Sequence, residues 1–416
     1  MRFRRRRVTV CAAVVVACVA ATVTGVTAVG ADGASNAKPP IKIFGYGFMT
    51  YKALGNLWLR QTYITQVAQA AVDAINKAGG VNGAKLQFTF CDDETDPNTV
   101  QACARKAASG DYVVAMVMPS LFDFLGVPIT AKAGLATVAE QAEEPAVWND
   151  PSVFCYTAGV VGVHHLLGPL AKKSGVKKLA EVQYGGVPQA AGWSQWFKEG
   201  VANAGIQLGG TAQVPSTTTD FTPAITQVMG SGADGISPIL LGLPPALQQI
   251  RRAYPQAKII LPSYILQPSE IKSSGSAAEG IRVAAWAQPV TATNVPGIRQ
   301  FISETKGRLD PQWYYYENSV LDWLAVHFVA NVAKTIKGPV TRQSMMAAFK
   351  KAKNIDMMGI VPPWNGATLG RHHIGCQPAN AAVEETIKDG KPVADHPGVF
   401  VDATTGKTTY VVPGTK

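Results

Sequence analysis

The sequence predicts an α/β protein made of two similar lobes. Three observations lead there. Strand and helix patterns alternate along the chain, and the alternation runs once and then restarts. Beyond an N-terminal leader, about 380 of the 416 residues remain, more than one compact core serves. Apolar residues make up 47% of the chain and no low-complexity linker interrupts it, so each lobe has material for a core.

The leader comes first. Arg2, Arg4, Arg5, Arg6 and Arg7 precede Val8 to Val29, an apolar run without an acid, diluted by Ala, Thr and Gly. A membrane span needs about twenty strongly apolar residues, and Val29-Gly30-Ala31 suits small-residue cleavage. Residues 1–34 therefore read as a secretory signal. Two alternatives stay open: a retained signal anchor, and a lipobox at Val15-Val16-Ala17-Cys18 that would leave a lipid on Cys18. The leader holds five Arg and one Asp, so its removal lowers the formal charge from +10 to +6. The remaining Lys and Arg are scattered and not interleaved with aromatic platforms, which excludes a nucleic-acid surface.

The first lobe begins with a strand at Ile41–Phe44. A helix over 57–78 carries Ile64, Val67, Ala71, Ile75 and Ala78 on one face, and Gly79-Gly80 closes it. Strands at Leu86–Cys91, Tyr112–Met118, Leu135–Ala139 and Val153–Tyr156 follow, separated by helices over 98–109 and 122–133. Asp96-Pro97 starts the first of these two helices, with Asp as N-cap and Pro at the first helical position. The pattern restarts with strands at Leu179–Gln183, Gln207–Val214, Gly235–Leu241, Lys258–Leu261 and Ile281–Trp286. Helices over 161–173, 192–204, 221–231 and 245–254 lie between them. The next three helical stretches, 296–306, 313–337 and 341–353, have too few strands for a sheet of their own and must pack on the first lobe. Val399–Val401 and Thr409–Val412 read as a hairpin turned through Thr405-Gly406-Lys407.

Cys91, Cys103, Cys155 and Cys376 follow the leader; an even number in an exported chain favours disulfides. Cys91 ends a strand and Cys103 lies in the next helix, so a local bridge is reachable, leaving Cys155 for Cys376. Four buried thiols are the alternative.

The segment Ala70–Gly83, followed by Leu86–Asp93, resembles the first lobe of the leucine/isoleucine/valine-binding proteins, and the resemblance extends along the chain. Those are exported receptors of ABC importers. The resemblance implies the type I periplasmic binding fold: two Rossmann-like lobes joined by a three-crossing hinge. It places residues 40–157 with 289–360 in one lobe and 158–288 with 361–416 in the other. Crossings are expected near 156–159, 287–290 and 359–364. It implies a monomer in the periplasm or cell envelope, a small-molecule ligand, permease subunits as partners, and no cofactor or metal. A sensor of the same fold that signals to a receptor is the alternative.

The resemblance also points to site residues. Ser120, after the strand at 112–118, matches a serine that contacts the ligand carboxylate. Ala139-Glu140-Gln141 stands where relatives hold that carboxylate with hydroxyls, and Glu140 would repel it unless turned away. Gln189 falls near the second-lobe aromatic position. The acid that pairs with a ligand ammonium falls near Ser263-Tyr264, where neither residue is acidic. Tyr315, in Trp313-Tyr314-Tyr315-Tyr316, is the expected aromatic of the cleft. With these determinants missing, the expected ligand is a small organic molecule with an apolar or aromatic portion, not a branched-chain amino acid.

Other motifs carry little. Gly45-Tyr46-Gly47-Phe48-Met49-Thr50 starts like a dinucleotide fingerprint, but Thr50 replaces the third glycine and no helix follows at once. Gly406-Lys407-Thr408 lacks the upstream glycine of a phosphate loop. The acids of Cys91–Asp96 lack calcium-loop spacing. His164-His165 and His372-His373 are adjacent pairs whose rings point apart. No nucleophile–base pairing is evident, so the chain is not read as an enzyme.

Overall fold

A computed structural model describes residues 38–52, 60–186, 189–240, 242–369 and 379–415. The expected leader, His372-His373 and Cys376 lie outside the described residues.

The first half alternates as β1 (Ile41–Gly47), α1 (Tyr63–Lys77), β2 (Leu86–Asp92), α2 (Pro97–Ser109), β3 (Val114–Val117), α3 (Asp123–Lys132), β4 (Ala136–Ala139), α4 (Pro145–Trp148) and β5 (Val153–Cys155). These strands form a parallel sheet in the order β2-β1-β3-β4-β5, with Ile43 between Phe88 and Val114. Asp96 caps α2 as expected, accepting from the Asn98 and Thr99 amides at 3.0 and 2.9 Å. The glycines of the Gly45-Tyr46-Gly47 run serve strand packing. A Cβ on Gly45 would lie 2.8 Å from the Phe88 ring, and one on Gly47 2.7 Å from the Pro119 carbonyl.

The alternation resumes with α5 (Gly159–Lys173), β6 (Lys178–Tyr184), α6 (Ala190–Ala204), β7 (Gln207–Val214), α7 (Thr222–Met229), β8 (Gly235–Ile239), α8 (Leu243–Ala253), β9 (Lys258–Pro262), α9 (Pro268–Ser274) and β10 (Arg282–Ala285). Then come α10 (Pro296–Thr305), α11 (Glu317–Lys334), α12 (Arg342–Lys351), β11 (Ala381–Lys388), β12 (Lys391–Ala394), β13 (Val399–Asp402) and β14 (Thr408–Val411). The second sheet runs β14-β13-β11-β10-β9-β8-β6-β7, with β12 paired to β11. Helices α10 and α11 pack on α1, and α12 reaches β4, so the helical return covers the first sheet. The hairpin of β13 and β14 forms at the expected place.

Several features differ from the sequence reading, among them the short elements α4 and β12, which it lacks. Helix α1 starts at Tyr63; residues 60–62 precede it without helical structure, and 53–59 lie outside the described residues. The short helix α9 was not anticipated. Nor was β11, whose Ala-Ala-Val-Glu-Glu-Thr sequence is rich in helix formers. Antiparallel pairing with β10 overrides that local preference and buries Glu384 and Glu385.

The chain passes between the sheets at three places, and hydrogen bonds tie these crossings in a ring. Trp286 Nε1 donates to the Gly159 carbonyl at 2.7 Å, the Gln288 amide to the Ile360 carbonyl at 3.0 Å, and Trp364 Nε1 to the Cys155 carbonyl at 2.8 Å. Glu317, at the start of α11, accepts from the Trp286 and Ala287 amides at 2.6 and 2.8 Å. Gly159 sits at φ 63°, a left-handed turn that lets the chain leave β5 for α5.

Cys91 and Cys103 form a disulfide with Cα atoms 5.7 Å apart. Cys155 is disulfide-bonded as well, and its expected partner, Cys376, lies outside the described residues.

Candidate functional site

In an open α/β sheet, ligands sit at the carboxyl ends of the strands where the chain turns both ways from one strand. Strand β1 lies between β2 and β3, and β6 between β7 and β8, so each sheet has such a point. The two points face one another across a cavity of about 60 Å³. On the same measure a water needs about 10–15 Å³, so the cavity suits a molecule of several non-hydrogen atoms.

From the first sheet, Phe48 and Tyr51 follow β1, Pro119 and Leu121 follow β3, and Gln141 and Glu143 follow β4. Tyr316 and Asn318 enter from the start of α11. From the second sheet come Tyr184 at the end of β6, Trp193 on α6, Ile239 and Leu240 at the end of β8, and Tyr264 and Ile265 after β9. The wall is mostly aromatic and aliphatic, with a few polar groups.

One of those polar groups, Glu143, is acidic, beside the amides of Gln141 and Asn318. Glu143 is buried, and its Oε2 has no hydrogen-bond partner of normal geometry, though the Trp193 side chain bears on the carboxyl as a donor that favours its charged form. Burial, reinforced by the Asp123 and Glu144 charges, pushes its carboxyl up to about 8. Burial also raises Asp123, at the start of α3, and Asp93, after β2, to about 7. Ala142, just before Glu143, takes φ 41°, a left-handed value uncommon for alanine that turns the loop toward the cavity. On the far wall, Tyr264 stacks on Trp286 at 5.7 Å and 16°, with its hydroxyl 3.3 Å from His164 Nε2. His164 Nδ1 lies 3.0 Å from the Val160 carbonyl, so Nδ1 carries the proton and Nε2 accepts from Tyr264. Burial lowers this histidine to about 3, which keeps it neutral.

The structure brings some of the sequence-predicted residues together and separates others. Gln141 and Tyr264 line the cavity. Gln189 stands behind its rim, and its Nε2 donates across the cleft to the Leu121 carbonyl at 2.6 Å. Ser120 is buried between two lining residues, but its hydroxyl donates to Asp93 Oδ2 at 2.6 Å. Ala139 is buried in β4. Glu140 turns away from the cavity toward Asp322 on α11, and burial plus the Asp322 charge hold its carboxyl well above the usual range. Tyr315 does not reach this cavity. It lines a second, smaller one with Ser263, Glu317 and Glu385, under the Lys391 ammonium at 5.0 Å. Its neighbour Tyr316, the residue at the N-cap of α11, faces the cleft instead.

Phe48, Tyr51, Glu143, Trp193 and Asn318 were missed from the sequence. The first three occupy loops at strand ends, so position was a usable signal. Trp193 and Asn318 project from helix starts, where no local pattern separates a cleft residue from a core one. Among the described residues, no group of three or more His, Cys, Asp or Glu could hold a metal ion.

The sequence profile of the periplasmic binding proteins matches residues 63–382. The chain belongs to this family. A leucine-, isoleucine-, valine-, threonine- and alanine-binding protein of Pseudomonas aeruginosa is 25% identical over 225 residues, 51% of this chain and 59% of that relative. The match thus spans less than two thirds of the relative. The fold is similar to the branched-chain amino acid transporter substrate binding protein of Streptococcus pneumoniae, solved with isoleucine, at TM-score 0.67 and 18% identity over 89% of this chain and 99% of that one. It is equally similar to a solute binding protein of Rhodopseudomonas palustris solved with p-hydroxybenzoic acid, at TM-score 0.70 and 17% identity over 91% and 98%. These relatives are binding proteins of type I architecture and not enzymes. No helix among the described residues is long and apolar enough to cross a membrane.

Proposed function

We propose that this periplasmic binding protein is the exported receptor of an ABC importer, which captures a small organic molecule with an apolar or aromatic portion by closing two lobes on it. One lobe comprises residues 40–157 with 289–360, the other 158–288 with 361–416. The leader over 1–34 supports export, and cleavage before Cys18 would leave a lipid anchor there. The closed form would be what the permease recognises. A ligand touching both lobes has differential affinity for that form, and this difference drives closure.

The observation that carries this reading is the composition of the cavity. Phe48, Tyr51 and Tyr316 from one lobe face Tyr184, Trp193 and Tyr264 from the other at the strand ends. Relatives of the same fold were solved with isoleucine and with hydroxybenzoate, so the fold alone leaves the ligand open. A thermal-shift screen of aromatic amines, alcohols, amides and acids alongside leucine, isoleucine and valine tests it. A ligand at a hundred times its dissociation constant adds about 2.7 kcal/mol of stability. Micromolar binding of a branched-chain amino acid would overturn the reading of the ligand.

A further inference from the structure

We propose that the cleft takes a small organic cation, an ammonium group on an apolar body, with Glu143 as its counter-charge and the aromatic walls around it. This rests on the reading of the cleft as the solute site. Among the described residues lining the cavity there is no Lys or Arg, and the nearby His164 is neutral and committed to Val160 and Tyr264. A carboxylate entering here would meet no cation. It would also lose the Ser120 hydroxyl, which already donates to Asp93. An ammonium, by contrast, meets Glu143, whose Oε2 has only the neutral Trp193 side chain to favour its charge, the unpaired side-chain oxygen of Asn318, and the aromatic walls of Trp193 and Tyr264.

The surroundings add to this bias. Asp123 on α3 and Glu144 lie beside Glu143, while Glu181 of β6 and Glu143 itself both act on Tyr264 from opposite lobes. A buried carboxyl without a counter-ion holds its proton and releases it when a cation arrives. Cation binding is therefore coupled to proton release, and affinity for a fixed positive charge rises with pH.

Calorimetry with benzylamine, benzyl alcohol and benzoate, three probes of similar shape, separates the charges. Benzylamine stays protonated between about pH 6 and 8, as alkyl amines do. At about pH 8 we expect it to bind at least about tenfold tighter than the alcohol or the acid, and to weaken several-fold toward pH 6. Glu143→Gln should cost benzylamine about tenfold and flatten its pH profile, with benzyl alcohol within about twofold. If Glu143→Gln fails to fold, the pH series on the unaltered protein decides the matter. Benzoate or benzyl alcohol binding as tightly as benzylamine overturns the cation while leaving the cleft as the solute site. Failure of all three at millimolar concentration overturns both.

Discussion

Gln189 Nε2 donates to the Leu121 carbonyl at 2.6 Å, which ties the N-terminus of α6 in one lobe to the loop after β3 in the other. Two further contacts cross the same gap. The Tyr316 hydroxyl donates to the Tyr264 carbonyl at 3.4 Å, and the Trp148 and Trp196 rings lie 5.9 Å apart. A hinge opening of the kind proposed would break all three contacts.

Replacing Gln189 by Ala removes the bond across the cleft without touching the cavity wall. A neutral hydrogen bond contributes about 0.5–1.5 kcal/mol net, so affinity for the best aromatic probe should fall by roughly two- to tenfold, mainly through faster dissociation. Stopped-flow measurement of both rates checks this. An unchanged dissociation rate would show that the bond does not contribute to closure.

Tyr315 and Tyr316 are adjacent yet serve different cavities. Tyr316→Leu should weaken probe binding by about tenfold or more, the scale of a lost aromatic contact. Tyr315→Leu should leave it within about twofold, and thermal melts of both variants control for folding. Equal losses would contradict the separation of the two cavities.

Glu140 and Asp322 form a buried acidic pair, with Asp322 raised to about 8 and Glu140 also raised, in both cases chiefly by burial. A carboxyl whose folded value lies above its unfolded value of about 4 binds more protons in the folded state between the two. Its stabilising effect is therefore complete below pH 4 and lost as pH rises toward 8. The melting temperature should fall between about pH 5 and 8, and Asp322→Asn should flatten that slope and raise stability at about pH 8. A variant slope as steep as that of the unaltered protein would count against the pair as its origin.

The Cys91–Cys103 disulfide closes a short loop, with a sequence separation of 12, between the end of β2 and α2. Replacing both cysteines by Ala should cost about 2–4 kcal/mol in denaturant unfolding. Peptide mapping without reductant should recover the Cys91–Cys103 link together with a Cys155–Cys376 link. A Cys103–Cys155 peptide would refute the pairing.

How far the sequence reached follows from the range of each determinant. The doubled strand–helix alternation, the Asp96 cap and the Gly79-Gly80 stop are local patterns, and each is present in the structure. Periodicity depends on residues three or four apart, which the sequence displays directly. Strand β11 was hidden because its own residues prefer a helix, and pairing with β10, about a hundred residues earlier, and with β12 and β13 makes it a strand. The choice of Glu143 over Glu140, and of Tyr316 over Tyr315, also depended on tertiary contacts. It rests on the backbone turn at Ala142, on Asp322 drawing Glu140 inward, and on where α11 begins. A loop's side chains face whichever segments converge on it, and here those segments lie far apart along the chain, from Phe48 to Asn318. The sequence alone thus determined the lobes and the strand ends between which the cleft would lie, whereas the residues facing into it were decided only by the meeting of those distant segments.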